Sequence, residues 1–169
     1  FIVGSGPEED ELRRYFEGTP TVFTGRLDGI ELSKAFASGD VFCMPSDSET
    51  LGFVVLESMA SGVPCVAANV GGPVDLIDDR FTGYLVPPGD AITFADRLEK
   101  LRNNPELREK MSVAGREETH RWSWYASMND IREQAYPECI ENFRSKRTSQ
   151  RLYSSLVGRP NALCKTKLS

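Results

Sequence analysis

The chain has 169 residues, 40% hydrophobic and 27% charged, which is enough for one globular domain with a sizeable core, and its longest apolar runs fall far short of the roughly 20 residues that a transmembrane helix needs. Four scattered cysteines (Cys43, Cys65, Cys139, Cys164) without a CxxC pair, and a single histidine, His120, argue against a zinc site, a disulfide framework or a histidine-based triad. The net charge of −5 divides into −12 over residues 1–141 and +7 over the tail from Arg144 to Lys167, so nothing outside that tail is basic enough to favour nucleic acid as a partner.

The chain opens FIVGSGP, with no initiator Met, no basic start and no signal peptide, inside what reads as a buried strand. A fragment lacking an amino-terminal part is the expectation. Phe1-Ile2-Val3 reads as the end of a strand, followed by a helix over EEDELRRYF whose acids precede its bases, in accord with the helix dipole. A short strand ends at Gly25, a helix runs from Glu31 to Ser38, and Asp40 to Met44 reads as a buried strand stopped by Pro45. After the polar loop SDSET comes a helix from about Gly52 to Ser61, apolar nearly all round and therefore expected to be buried. Cys43 and Cys65 are expected as small buried hydrophobes.

Strands over Pro64–Ala68 and Gly83–Val86 follow, separated by Asn69-Val70-Gly71-Gly72-Pro73 and the short helical turn VDLI. Asp90 reads as the cap of a helix to Arg102, Pro105 as the first position of a helix to about Thr119, and Ser123 as the cap of a last long helix to about Arg147. Apolar strands alternating with helices predict an α/β fold, a Rossmann-like doubly wound parallel sheet. The expected organisation is a domain over residues 1–147 and a basic tail over 148–169, either solvated and partly disordered or drawn to anionic lipid at roughly 1 kcal/mol per basic residue near the surface.

In such sheets ligands bind beyond the carboxyl ends of the strands, and Met44-Pro45 is such an end. The loop and helix that follow, SDSETLGFVVLE, place Glu49 and Glu57 on either side of a helix start. With the helix beginning near Thr50, the amides of Leu51, Gly52 and Phe53 lack intrahelical acceptors and favour a phosphate, and Gly52 lets a ligand approach the backbone. Glu49 points beyond that phosphate, while Glu57, inside an apolar helix, is expected to have a specific partner and suits a ribose diol. A hydroxyl grip, a phosphate grip and a ribose grip together match a nucleotide-sugar. The same pair fits poorly as the acid and base of a glycoside hydrolase, which face one bond. Gly4-Ser5-Gly6 fails as a dinucleotide fingerprint because Glu9 stands at its third glycine.

VGSGP at 3–7, VFTGRL at 22–27, SGDVFCMPSDSETLGFVVLESMASGVPCVA at 38–67, GG at 71–72 and GYLVPPGD at 83–90 together resemble the carboxyl-terminal domain of the retaining GT-B glycosyltransferases of family four, in order over roughly residues 1–125. Within that family SETLGFVVLE is most similar to the sulfolipid-synthase branch, which transfers sulfoquinovose from its UDP derivative to diacylglycerol in plastids and cyanobacteria. The resemblance implies that Glu49 holds the donor sugar and is the residue closest to catalysis. It also implies that the Thr50–Phe53 backbone touches sugar and diphosphate, that Glu57 binds the ribose, and that Arg26 and Leu27 lie near the base. For those last two a solvated arginine and a core leucine are equally good readings. Asp75 stands where many relatives have glutamate.

The family's basic diphosphate clamp and acceptor domain precede the stretch matched here, and Arg13, Arg14 and Lys34 do not fill the clamp by position. The fragment alone is therefore expected to be inactive. The last helix, with Trp122 and Trp124, is expected to cross back to the missing amino-terminal GT-B domain. No tightly bound cofactor or protein-bound metal is implied; the UDP-sugar is a substrate, and free Mg2+ is not readable. The implied partners are that donor, a diacylglycerol acceptor and a membrane surface, with a peripheral plastid location, or a cyanobacterial membrane or the cytoplasm instead. A relative with another donor or acceptor, and a non-catalytic nucleotide-binding module, stay open as alternatives.

Overall fold

The computed structural model describes residues 1–156, with side chains through Lys146. They divide into two compact units, Phe1–His120 and the part from Arg121 onward. The first unit runs β1 (Ile2–Val3), α1 (Glu9–Tyr15), β2 (Phe23–Gly25), α2 (Gly29–Ala37), β3 (Phe42–Met44), α3 (Phe53–Ala60), β4 (Cys65–Ala68), α4 (Pro73–Leu76), β5 (Gly83–Val86), α5 (Ala91–Arg102) and α6 (Pro105–Glu118).

Local chemistry sets several boundaries. Asp90 caps α5 by accepting the Thr93 amide at 3.0 Å, and this bond holds its carboxyl below the usual range. Asn104 does the same for Leu107 at the start of α6, where Pro105 occupies a position whose amide needs no partner. Glu9 and Arg13 pair one turn apart on α1 at 2.8 Å.

The strands are all parallel but form two sheets, β1–β2 and β3–β4–β5, rather than one. In the larger sheet Phe42 faces Cys65, and Cys65 faces Gly83. Its middle strand, β4, is buried along its whole length, as a parallel strand covered on both faces should be. Burial raises the Cys65 thiol far above its ordinary range, in keeping with an inert core residue. One core cluster joins Val66, Tyr84 and Val86 to Leu101 of α5 and Met111 of α6, with Val41, Phe94, Leu98 and Leu107 packed around it. Arg97 and Lys100 lie over the Tyr84 ring at 5.3 and 5.5 Å.

Two expectations about burial are corrected. Helix α3 is not enclosed: Val55, Ser58 and Met59 are buried, while Phe53 is 67% and Val54 37% exposed. Only one face of α3 meets other elements of this unit, chiefly α6, α2 and the strand ends, so its opposite apolar face stays open. Cys43 is exposed rather than buried, because β3 has a neighbouring strand on one side only.

In the second unit Ser123 caps α7 (Trp124–Asp130) by accepting the Ala126 amide at 3.2 Å. A wide turn of π type over Ile131–Ala135 leads into α8 (Tyr136–Leu156). The expected single helix is thus interrupted, and it runs past Arg147; residues 157–169 of the expected tail lie outside the described residues. Trp124 is 82% exposed. Among the described residues no helix is long and apolar enough to cross a membrane.

Leu101 sits fully buried where α5 meets the sheet. Leu101→Ala should lower unfolding stability by about 2–5 kcal/mol, whereas truncating the exposed Ile92 should change it by less than about 0.5 kcal/mol. Urea unfolding of the two variants measures the difference.

Candidate functional site

The polypeptide leaves β3 at Met44 and makes a loop before entering α3. Within that loop one oxygen of Glu49, Oε1, accepts three backbone amides: Thr50 at 3.0 Å, Leu51 at 3.3 Å and Gly52 at 3.0 Å. Successive amides turned toward one point form a concavity that favours an anion. Here the anion is the protein's own carboxylate, half-buried in the loop it organises.

This changes two sequence-based expectations. Helix α3 starts at Phe53, not near Thr50, because Gly52 takes a left-handed conformation (φ +83°) and acts as its cap residue. The amides of Leu51 and Gly52 are not free for phosphate, since Glu49 already engages them. In the first turn, Val55 and Leu56 donate to the Gly52 carbonyl at 2.9 and 3.3 Å. That leaves the amides of Phe53 and Val54 at the positive end of the helix. Gly52 suits its place twice over: its φ is costly for other residues, and a Cβ would lie 3.4 Å from Leu76 and 3.5 Å from Pro73.

The loop is fixed from the side by the turn that follows β4. The Gly72 amide donates to the Glu49 carbonyl at 3.2 Å. A Cβ on Gly71 would overlap the Glu49 carbonyl oxygen, and one on Gly72 would overlap the Leu51 carbonyl. The glycine pair was visible in the sequence, but its role as the bed of the Glu49 loop was missed. Only the adjacency of the β3 and β4 ends reveals it.

Glu57 lies on α3 one turn beyond Phe53, and both are exposed on the same side of the helix. The expected partner for Glu57 is absent among the described residues: its carboxylate faces outward and makes no hydrogen bond or ion pair. It escapes the cost of burial by not being buried. Arg26 and Leu27 follow β2 in the other sheet. Arg26 is exposed and bonds Asp28 at 3.2 Å, and Leu27 is half-buried. The structure thus gathers Glu49, Thr50, Leu51, Gly52 and Phe53 with Gly71 and Gly72, sets Glu57 further along the same helix, and gives Arg26 no bond to this group. Among the described residues no three His, Cys, Asp or Glu side chains gather so as to hold a metal ion.

Comparison with known proteins agrees with this architecture. The family described as glycosyl transferases group 1 matches residues 1–118. The sulfoquinovosyl transferase SQD2 of Arabidopsis thaliana is 47% identical over 149 residues, which is 86% of this chain but 29% of that protein. Among solved structures, the sucrose-phosphate synthase of Thermosynechococcus elongatus superposes with a TM-score of 0.70 and 28% identity, over 80% of this chain and 38% of that one. The carboxyl-terminal domain of a group 1 glycosyl transferase from Francisella tularensis (LpcC) superposes with a TM-score of 0.64 and 26% identity, over 71% and 66% of the two chains. Parallel strands with helices between them, a Glu49 loop at the carboxyl end of β3 and a match over most of the sequence lead to one conclusion: the chain belongs to the group 1 glycosyl transferases and has the fold of the GT-B carboxyl-terminal half.

Proposed function

We propose that this chain is the donor-binding half of a retaining glycosyltransferase that moves sulfoquinovose from UDP-sulfoquinovose to diacylglycerol. The observation that carries the reading is the seat of Glu49. With Oε1 held by three amides, its other oxygen is positioned to accept a sugar hydroxyl without losing the loop. The free amides of Phe53 and Val54, at the positive end of α3, then meet the diphosphate and stabilise the charge that builds as it departs. Glu57, outward on the same side of the helix as Phe53, accepts the two ribose hydroxyls. Thr50, Leu51 and Gly52 act through Glu49 rather than directly. Arg26 and Leu27 flank the base, which requires Arg26 to exchange its exposed pairing with Asp28 for the ligand; such a pair is worth little.

The chain spans 29% of the length of its Arabidopsis relative, so the acceptor side belongs to the rest of the whole protein. The choice of sulfoquinovose follows from that similarity; diacylglycerol, a peripheral position at a plastid membrane and a helix that crosses to an amino-terminal domain follow from the family resemblance of the sequence. The basic residues between Arg144 and Lys167 suit an anionic lipid surface. UDP-sulfoquinovose and diacylglycerol, tested against UDP-glucose with the whole protein, check the substrates. Preference for UDP-glucose, or for a soluble acceptor, replaces this assignment with another member of the family.

Removing the charge of Glu57 with Glu57→Gln should raise the donor KM about 10- to 100-fold with little change in kcat, as expected for the loss of a hydrogen bond to a charged acceptor. Glu49→Gln should instead lower kcat by roughly the same factor, because the group that orients the sugar is weakened while the ribose grip stays. Gly72→Ala should lower both binding and turnover and lose the slow exchange of the Gly52 amide, since its methyl displaces the Leu51 carbonyl. Steady-state kinetics with the donor varied, and amide exchange for the last variant, decide each outcome. Unchanged constants in both glutamate variants would remove the donor from this loop.

A further inference from the structure

In the second unit every described side chain from Arg132 to Lys146 is exposed, and Trp124 and Met128 of α7 are exposed as well. Large apolar groups left open at this density mark a surface that meets something. On α8, Tyr136, Ile140 and Phe143 stand at i, i+4 and i+7, along one side of the helix. On α7, Trp124 and Met128 stand one turn apart. In an unbroken α-helix the two groups would start about 120° apart. The π-type turn over Ile131–Ala135 widens the helix just between them. It turns α8 back by roughly 90° and brings all five side chains within about 70° of one another. Pro137 stands just past this turn, where its missing amide and its ring both disfavour a regular α turn.

Charge follows the same division. Asp130, Glu133, Glu138 and Glu141 are all the acids between Trp124 and Lys146, and each falls on the side away from the stripe. The bases do not. Arg144, four residues after Ile140, borders the stripe on one side, and Lys146, three after Phe143, borders it on the other. No acid follows Glu141 in the sequence, which continues with Arg147 and Arg151. An apolar stripe with bases at its shoulders and acids behind it is the pattern of a helix lying in a membrane interface. Apolar groups enter the acyl boundary, long basic side chains reach anionic headgroups, and rings such as those of Trp124 and Tyr136 sit between the two. A nucleic-acid backbone would meet the bases but gain nothing from Ile140 and Phe143. The core of a protein interface is poor in lysine and arranges no such one-sided charge. Among the described residues no helix is long and apolar enough to cross a membrane, so the fitting arrangement is one that lies upon it.

We propose that α7 and α8 together form an interfacial anchor that docks on an anionic lipid bilayer, with Trp124, Met128, Tyr136, Ile140 and Phe143 facing the acyl chains and Arg144 and Lys146 the headgroups. The π-type turn is what makes the two helices one anchor, since it sets their apolar groups on a common side. The helices then lie along the surface, with the stripe sunk by about 5–10 Å into the boundary between headgroups and chains. This assigns a definite face of the chain to the lipid surface named above, and it rests on that reading for its partner. It does not depend on the identity of the donor sugar.

Flotation of the whole protein with lipid vesicles tests it. The protein should float with vesicles of phosphatidylcholine and phosphatidylglycerol, stay behind with phosphatidylcholine alone, and come off the mixed vesicles as salt is raised. Ile140→Ser combined with Phe143→Ser should weaken vesicle binding by more than about tenfold. Arg144→Glu combined with Lys146→Glu should weaken it by roughly thirtyfold, since each base near an anionic surface contributes about fivefold. Glu138→Gln combined with Glu141→Gln, on the far side, should not weaken it. No flotation with the mixed vesicles, or flotation indifferent to the serine pair, would overturn the proposal. A serine pair that fails to fold, or that lowers the unfolding temperature of the whole protein without vesicles, would show that the rest of the protein covers the stripe. A serine pair that turns a dimer into a monomer in sedimentation would make a second copy the occupant. Each of these also overturns it. Binding of UDP-sulfoquinovose should stay within about twofold in every variant, because these positions lie outside the Glu49 loop. Flotation that behaves as expected while diacylglycerol is refused as acceptor would count against the proposed reaction and for the anchor.

Discussion

The arrangement of this domain's working edge depends on one carboxylate in its own backbone nest. Glu49 gathers the amides of Thr50, Leu51 and Gly52 onto a single oxygen, and that fixes where the loop ends and where α3 begins. A loop that bends this sharply turns several amides toward one point, and that of the buried Gly52 would cost free energy if left without a partner. A glutamate satisfies all three at once with one oxygen and leaves the second outside the nest. The turn after β4 then holds the loop from outside, through a hydrogen bond from Gly72 and through contacts that only glycine allows at positions 71 and 72.

This nest changes how the site divides its work. A helix start beside a glycine suggests a phosphate site, and the dipole argument for it still applies. Glu49 already engages the amides of Leu51 and Gly52, however, so those left at the positive end of α3 are Phe53 and Val54, two residues further on. The acid shapes the backbone at the start of α3. Glu57 is placed differently. It lies on the outer side of α3 with no protein group competing for it, and its availability is itself a consequence of the exposed face that α3 shares with Phe53.

The exposed face of α3 and the open edges of β1 and β3 have a common physical reading. Each is apolar or hydrogen-bonding surface that no other strand or helix of this unit pairs with or covers. By contrast, the side of the larger sheet that α5 and α6 cover is well packed, with Leu101 and Met111 almost wholly shielded. The elements behind the Glu49 loop are packed as closely, with Val55, Met59 and Leu76 almost wholly shielded, while Thr50 and Leu51 in the loop itself are exposed. That is the usual division between a rigid scaffold and the loops that it positions.

Most elements were legible in the residues. Asp90, Asn104-Pro105 and Ser123 marked helix starts because capping is a contact over three residues, written wholly in local sequence. Strands β4 and β5 were legible as short apolar runs bounded by Gly and Pro. The family resemblance was legible too, since the spacing of its motifs and glycines is a sequence property. What the sequence could not decide were the matters that depend on neighbours distant in the chain. These include the burial of α3 and Cys43, the missing partner of Glu57, the bed that Gly71 and Gly72 make for Glu49, and the division of the strands into two sheets. Hydrogen bonds over one to four residues are set by composition and spacing. Burial, edge pairing and close backbone approach are set by which strand lies beside which, and only the tertiary structure determines that.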